Sequence, residues 1–180
     1  RNRSLLKRKK RYLTSKNFNF ESIFNLIRKH FYKKKITIAG YYPSNYEVNI
    51  IEFLKQASKK KFKITLPVIQ SSNRMSFKAW VFKEPLYVNM FGIPEPKKSK
   101  KNVIPDLVVV PLVAFDKHLN RIGYGKGYYD RSLKRIRKIK KNAVFLGIAY
   151  SFQKCKKIPV NNHDFKLDYI FTEKGIINSN

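Results

Sequence analysis

The feature that most constrains this chain is a junction. The run Leu107-Val-Val-Val-Pro-Leu-Val-Ala-Phe115, the most apolar stretch present, leads into a loop where Gly123, Gly125 and Gly127 alternate, and then into a basic segment from about Tyr128 to Lys140. An apolar, β-branched run of that kind reads as a strand buried on both faces. Strand, glycine loop and helix in that order belong to a parallel sheet with helices packed on it.

The rest of the sequence agrees with that frame. Phe20, Ile23, Phe24, Ile27 and Phe31 repeat at helical spacing and mark a buried stripe. Ile36–Tyr42 reads as a buried strand ended by Pro43. Ser44 stands three residues before Glu47, the spacing of a capping box, and predicts a helix through Val48, Ile51 and Leu54 to the basic end at Lys63. Strands are expected over Phe62–Leu66, over residues 75–81 with less burial, over Ala143–Tyr150 and over Asp168–Thr172. The Pro- and Lys-punctuated stretch Phe91–Lys101 reads as an exposed loop. With 180 residues and no internal repeat, the expected fold is one α/β domain over residues 1–180, a three-layer α/β/α sandwich around a mostly parallel central sheet.

Charge is the other conspicuous property. Forty Lys and Arg against eleven Asp and Glu give a net +29, which by itself suggests a nucleic-acid or anionic-surface binder. A second cause competes, because Lys, Asn, Ile, Tyr and Phe, all read from A/T-rich codons, supply nearly half the chain. Basic residues occur in almost every segment rather than on one face, so no nucleic-acid partner is expected. The 43% hydrophobic content excludes global disorder. One cysteine, Cys155, cannot form an internal disulfide and points to a reducing, cytoplasmic setting; no apolar run is long enough to span a membrane. Residues 1–11 hold seven basic residues and no acid, with Leu5, Leu6 and Leu13 as apolar positions: a short basic helix, or else a basic arm or transit segment.

Alternating glycines let backbone N–H groups turn toward a ligand, and a helix N-terminus behind them adds partial positive charge. The loop is therefore a candidate phosphate cradle, with Lys126, Arg121 and Arg131 as its cations. It is neither a Walker A sequence nor the dinucleotide fingerprint, and a flexible surface turn has the same spacing. Asp130, one turn into the helix, is favoured by the helix dipole alone, or serves as a Mg²⁺ ligand beside phosphates.

Taken with Leu107–Asp116, the segment Arg-Ile-Gly-Tyr-Gly-Lys-Gly-Tyr-Tyr-Asp-Arg131 resembles the signature of the 5-formyltetrahydrofolate cyclo-ligase family, also called 5,10-methenyltetrahydrofolate synthetases. Arg3-Ser-Leu-Leu-Lys7, the Tyr42–Glu47 turn, Phe91-Gly-Ile-Pro-Glu-Pro96, and Ile158–Asp168 followed by Thr172-Glu173 fit the same family in the same order. The resemblance implies ATP- and Mg²⁺-dependent cyclisation of 5-formyltetrahydrofolate to 5,10-methenyltetrahydrofolate by a monomer. It further implies ATP contacts from Arg3, Ser4, Leu5, Leu6 and Lys7 and from Arg121, Ile122, Gly123, Tyr124, Gly125, Lys126, Gly127, Tyr128 and Tyr129. Folate contacts are implied for Lys7, Tyr42, Glu47, and Tyr124 to Tyr128; Mg²⁺ contacts for Asp130 and Asp164; Lys126 is the candidate catalytic group. The chain departs from the family at Lys7, where Arg is commoner, at Tyr124, which is Arg in some members, and at Asn161-Asn162, where an acid is common. His163 and Asp164 also read as an ordinary turn, and Trp80 reads as a packing residue rather than a pterin platform.

Overall fold

The computed structural model describes residues 1–12, 18–32, 34–71 and 74–178; Leu13 falls outside them. Helices α1 (Asn2–Arg11) and α2 (Glu21–His30) precede β1 (Thr37–Ala39), and α3 (Ile51–Lys59) links β1 to β2 (Lys63–Ser71). After β3 (Arg74–Ala79) come the short pair β4 (Tyr87–Val88) and β5 (Pro94–Glu95), β6 (Leu107–Pro111), and a second short pair, β7 (Ala114–Phe115) and β8 (Arg121–Ile122). Then follow α4 (Tyr128–Ile139), β9 (Val144–Ile148), β10 (Tyr169–Thr172) and β11 (Gly175–Asn178).

Seven strands form the main sheet in the order β11-β10-β9-β6-β1-β2-β3. The five inner strands run parallel, and β3 and β11 close the two edges antiparallel. Alternation along β6 makes the layers: Leu107 and Val109 join one core cluster, Val108 and Val110 the other. The first cluster includes Ile23, Phe24 and Ile27 of α2 and Phe53 and Leu54 of α3, and the second includes Leu133 and Ile136 of α4. The α2 stripe is buried as its spacing predicts; a fully buried Phe of this kind stabilises by about 1.5–3 kcal/mol.

Several details differ from the sequence reading. The strand from Leu107 does not continue to Phe115: Pro111 has no N–H to extend the ladder, and the Leu112 and Val113 carbonyls turn to Gln153 instead. Ser44 to Glu47 is a turn rather than a helix start, and α3 begins only at Ile51, whose N–H is bonded by Asn49 Oδ1 at 3.0 Å. Strand β3 is more buried than its composition suggests, because α4 covers one side and Val103 N–H bonds Phe77 O on its outer edge. Within 91–101, Glu95 is buried rather than exposed. Trp80 packs into the core against Phe82, with its indole N–H on Glu84 O.

The starts of the parallel strands are stapled by acids. Asp106 accepts the Thr37 N–H (2.8 Å) and pairs with Lys140 (2.9 Å), while Asp168 accepts from Arg137 Nη2 at both oxygens (2.6 and 2.7 Å) and from the Phe145 N–H. These pairs fasten the C-terminal part of α4 to the sheet. Helix α4 then starts at the opposite end, where the strands finish.

Candidate active site

A cleft of about 870 Å³ opens at that end, where open α/β sheets present their ligand sites. Its lining includes Tyr42, Glu47, the whole stretch Arg121–Arg131, Lys134, His163 and Asp164, together with an apolar group of Pro67, Ile69, Met75, Phe91 and Ile93.

The glycine loop is held at its base by Asp116. This fully buried carboxylate accepts the N–H groups of His118, Asn120 and Ile158 and the Asn120 amide. Burial would raise its pKa, but the bonds from Asn120, Ile158 and His118 outweigh burial and hold it below the usual carboxylate range. The β7–β8 pair thus becomes a rigid stem, and the residues after it are free to form the loop. Gly125 and Gly127 have φ of +91° and +66°, and Gly127 is the N-cap of α4. A side chain at Gly125 would collide with the Arg1 guanidinium, and one at Gly127 would meet Arg131 Nη1 at 2.6 Å. Gly123 differs, with ordinary backbone and open space where a Cβ would stand. Neither strain nor packing demands a glycine there, whereas a ligand pressed against the backbone would.

The cations of this region have separate fates. Arg121 is nearly enclosed, donating to Phe165 O (2.7 Å) and to Asp130 Oδ1 (2.7 Å). Its charge is spent on positioning Asp130. Arg131 Nη2 bonds the Lys126 carbonyl at 2.8 Å and so fixes the loop tip. The Lys126 side chain is exposed and makes no hydrogen bond or ion pair with a described residue.

The opposite wall is the Ser44–Glu47 turn. Asn45 and Tyr46 both have positive φ, 47° and 63°, a type I′ geometry that costs a non-glycine residue about 1–2 kcal/mol. The turn is kept by the Glu47 N–H on Ser44 O (2.9 Å) and by Glu47 Oε2, which accepts the Ser44 N–H (2.9 Å) and hydroxyl (3.3 Å). The Ser44–Glu47 spacing therefore reports a reciprocal bond, as read from sequence, but in a turn that presents a carboxylate to the cleft. Burial raises the Glu47 pKa; the Ser44 bonds, the nearby Arg8 charge and the Tyr124 hydroxyl oppose it without cancelling it.

Arg8 joins the two walls and was not singled out in the sequence. It is 1% exposed, and donates to Leu112 O (3.2 Å), Asn45 O (2.6 Å) and the Tyr124 hydroxyl. Among eleven residues with seven basic ones, only burial distinguishes it, and α1 carries too few apolar residues for a pattern to announce which side faces inward. Arg3 and Lys7 are exposed, and none of Arg3, Ser4, Leu5, Leu6 and Lys7 lines the cleft; Arg1 does. Tyr129, expected as one of the ATP contacts, has a buried hydroxyl with no hydrogen-bond partner among the described residues, and burial with the Glu47 charge keeps it protonated far above the usual range.

Asp130 and Asp164 both line the cleft. Asp130 Oδ1 is taken by Arg121 and by the Phe165 N–H (3.0 Å), and Asp164 Oδ2 by the Asn161 N–H (2.7 Å) in an exposed turn. The other oxygen of each carboxylate has no hydrogen-bond partner among the described residues. No group of three or more His, Cys, Asp or Glu fit to hold a metal occurs among those residues. Two carboxylates with one open oxygen apiece suit a Mg²⁺ ion that takes its remaining ligands from phosphates and water, and do not suit a metal caged by protein. No helix among the described residues is long and apolar enough to cross a membrane.

Residues 1–173 match the sequence model of the "5-formyltetrahydrofolate cyclo-ligase family". The chain is 32% identical over 136 residues to the 5-formyltetrahydrofolate cyclo-ligase of Haemophilus influenzae, covering 72% of each chain. It is 33% identical over 133 residues to that of Escherichia coli K12, covering 71% of this chain and 70% of the other. Among solved structures, the NMR structure of Aquifex aeolicus 5,10-methenyltetrahydrofolate synthetase superposes with a TM-score of 0.71 at 32% identity, covering 95% of this chain and 90% of that one. A synthetase of the same name from Mycoplasma pneumoniae gives 0.66 at 26% identity, covering 99% and 95%.

Proposed function

The chain belongs to the 5-formyltetrahydrofolate cyclo-ligase family, and we propose that this ligase couples ATP hydrolysis to the cyclisation of 5-formyltetrahydrofolate into 5,10-methenyltetrahydrofolate. One observation carries the reading: a single cleft holds an open cationic glycine loop at a helix N-terminus and a buried carboxylate beside an apolar wall. A triphosphate and a flat heterocycle with N–H donors call for those two surfaces.

The formyl group is an amide, and its oxygen is a weak nucleophile. The first step transfers the γ-phosphoryl group to that oxygen, forming an O–P bond as the bond to ADP breaks. The folate N10 then attacks the activated carbon, and phosphate leaves with the oxygen. Neither step needs a nucleophilic side chain, so the work of the protein is alignment and charge neutralisation. Lys126, with no ion pair to a described residue, is the group assigned to the transferring phosphoryl oxygens, with the N–H groups around Gly123–Gly127 beside it. Glu47 accepts from the pterin N–H groups, and Tyr42 lines the same side. Asp130 and Asp164 would hold Mg²⁺, which neutralises phosphate charge when bound. Arg3 to Lys7, lying outside the cleft, would reach ATP only at its rim. A monomer in a reducing, cytoplasmic setting fits this chemistry; burial pushes the Cys155 thiol up, away from reactivity.

The test is to mix the purified protein with 5-formyltetrahydrofolate, ATP and Mg²⁺ and follow the absorbance of the methenyl product. Product formation that needs all three supports the reading. No product, with tight RNA binding instead, would overturn it.

A further inference from the structure

Strands β4 and β5 are two residues each, and one of the facing positions is Pro94, which has no N–H to give. Such a ribbon does not hold itself in place. It nevertheless carries Asn89, Phe91 and Ile93 into the cleft, where Phe91 packs edge-on to Tyr128 at 6.2 Å. The ordering comes from below. Glu95 is 3% exposed and its Oε2 accepts the Ile69 N–H of β2 (3.1 Å) and the Asn89 side-chain amide (2.9 Å). Asn89 Oδ1 in turn accepts the N–H groups of Phe91 (2.9 Å) and Ile93 (3.2 Å), and its backbone N–H reaches Ile93 O (3.0 Å).

Glu95 has no cationic partner among the described residues, and its buried carboxyl group meets neutral donors alone, the Ile69 N–H and the Asn89 amide. A polar group buried so deeply needs such bonds to offset its lost hydration, and they fix where it sits. We propose that Glu95, acting through Asn89, is a positioning residue that sets the height of the β4–β5 hairpin over the cleft and thereby the fit of the folate rings. The inference rests on the cyclo-ligase reading. Ile69 and Met75, paired across β2 and β3, form the floor of the apolar wall, and Phe91 and Ile93 form its overhang. Because Glu95 bonds the Ile69 N–H itself, it fixes the distance between floor and overhang. A flat ring system fills that gap, whereas a triphosphate lies with the glycine loop.

The experiment compares wild type with Glu95→Ala, Asn89→Ala and Glu95→Gln, which keeps an acceptor oxygen. Each is measured for KM of both substrates, for kcat and, by calorimetry without ATP, for 5-formyltetrahydrofolate affinity. Glu95→Ala and Asn89→Ala should weaken folate affinity and raise its KM about tenfold, leaving the ATP KM within about twofold; Glu95→Gln should recover most of the loss. Equal rises in both KM values, an unchanged folate affinity, or a Glu95→Gln no better than Glu95→Ala would overturn the proposal. Wild type that binds the folate but makes no methenyl product would sink the catalytic reading while the affinities still decide the clasp. Wild type that binds no folate sinks both.

Discussion

The two ends of the central sheet both carry carboxylates, and they use them in opposite ways. Where the parallel strands begin, Asp106 and Asp168 have both oxygens engaged, by Lys140 and the Thr37 N–H in one case and by Arg137 and the Phe145 N–H in the other. Where the strands end, Asp130 and Asp164 line the cleft and each keeps one oxygen without a hydrogen-bond partner among the described residues, Glu47 is buried with a raised pKa, and Lys126 lines the same cleft with no ion pair to a described residue. Asp106 and Asp168 are fasteners engaged at both oxygens, whereas Asp130 and Asp164 are engaged at one oxygen only. Arg121 meets one oxygen of Asp130 and leaves the other without a partner among the described residues, so the difference lies in how many oxygens are engaged and not in the presence of a cation.

The strongest way to break this contrast is to remove the loop cation Lys126. Lys126→Ala should leave the fold intact and lower turnover about 10²- to 10³-fold, the scale of losing one preorganised electrostatic group. Steady-state kinetics with circular dichroism checks it, and near-normal turnover would take Lys126 out of the mechanism. Asp130→Asn comes next. It keeps an acceptor for Arg121 and Phe165 but discards the open anionic oxygen, and should weaken Mg²⁺ affinity about tenfold or more in an ADP-loaded titration. An unchanged titration would mean Asp130 serves only Arg121, the Phe165 N–H and the dipole of α4.

Glu47→Gln is the third. On the proposed role of Glu47 the pterin donors need an ionised acceptor, so folate kcat/KM in wild type should fall as pH drops through a value above the ordinary glutamate range, and the variant should lose that limb and show a folate KM raised about tenfold. The sign for stability follows from the same shift. A folded pKa above the unfolded one gives stability that is fully present below the unfolded pKa and lost as pH rises through the folded pKa. At neutral pH ionised Glu47 therefore works against the fold, and the Tm of Glu47→Gln should not drop. A lower Tm, or a retained acid limb, would show that Glu47 is a turn fastener like the acids at the far end.

The reach of the sequence follows the same division. Helical and strand periodicities marked α2, β6 and β9 because each buries a full face, and local pattern is enough to say so. The glycine loop was legible because positive φ and close approach restrict residue type directly. Ser44 and Glu47 announced their mutual bond but not its setting, since a capping box and this type I′ turn place the same pair three residues apart. Arg8 could not be read at all: its partners lie 37, 104 and 116 residues away, and nothing local separates it from six other cations. Nor did Pro94-Glu95-Pro96, a loop by composition, show that its acid would be buried under β2. Strand β11 was missed because Gly175–Asn178 is half exposed and pairs only at the edge.

The mildest perturbation tests the other end of the sheet. Asp168→Asn loses the paired oxygens that meet Arg137, whose guanidinium also stacks over Phe145 at 4.6 Å, and weakens the bond to the Phe145 N–H. Both side chains are about one-third exposed, so water screens much of the ion pair, and the backbone bond is the larger part of the loss. Stability should drop by about 1 kcal/mol in urea unfolding, with kcat and both KM values unchanged. The site is built from loops that leave the far end of the strands, and α4, fastened at its C-terminal part, still has Asp106–Lys140 as a second tie. If instead turnover fell with stability, the helix N-terminus would have moved with its C-terminal fastening. The two ends would then act as one device, the acids at the strand starts setting the height of Gly127 and Asp130 in the cleft.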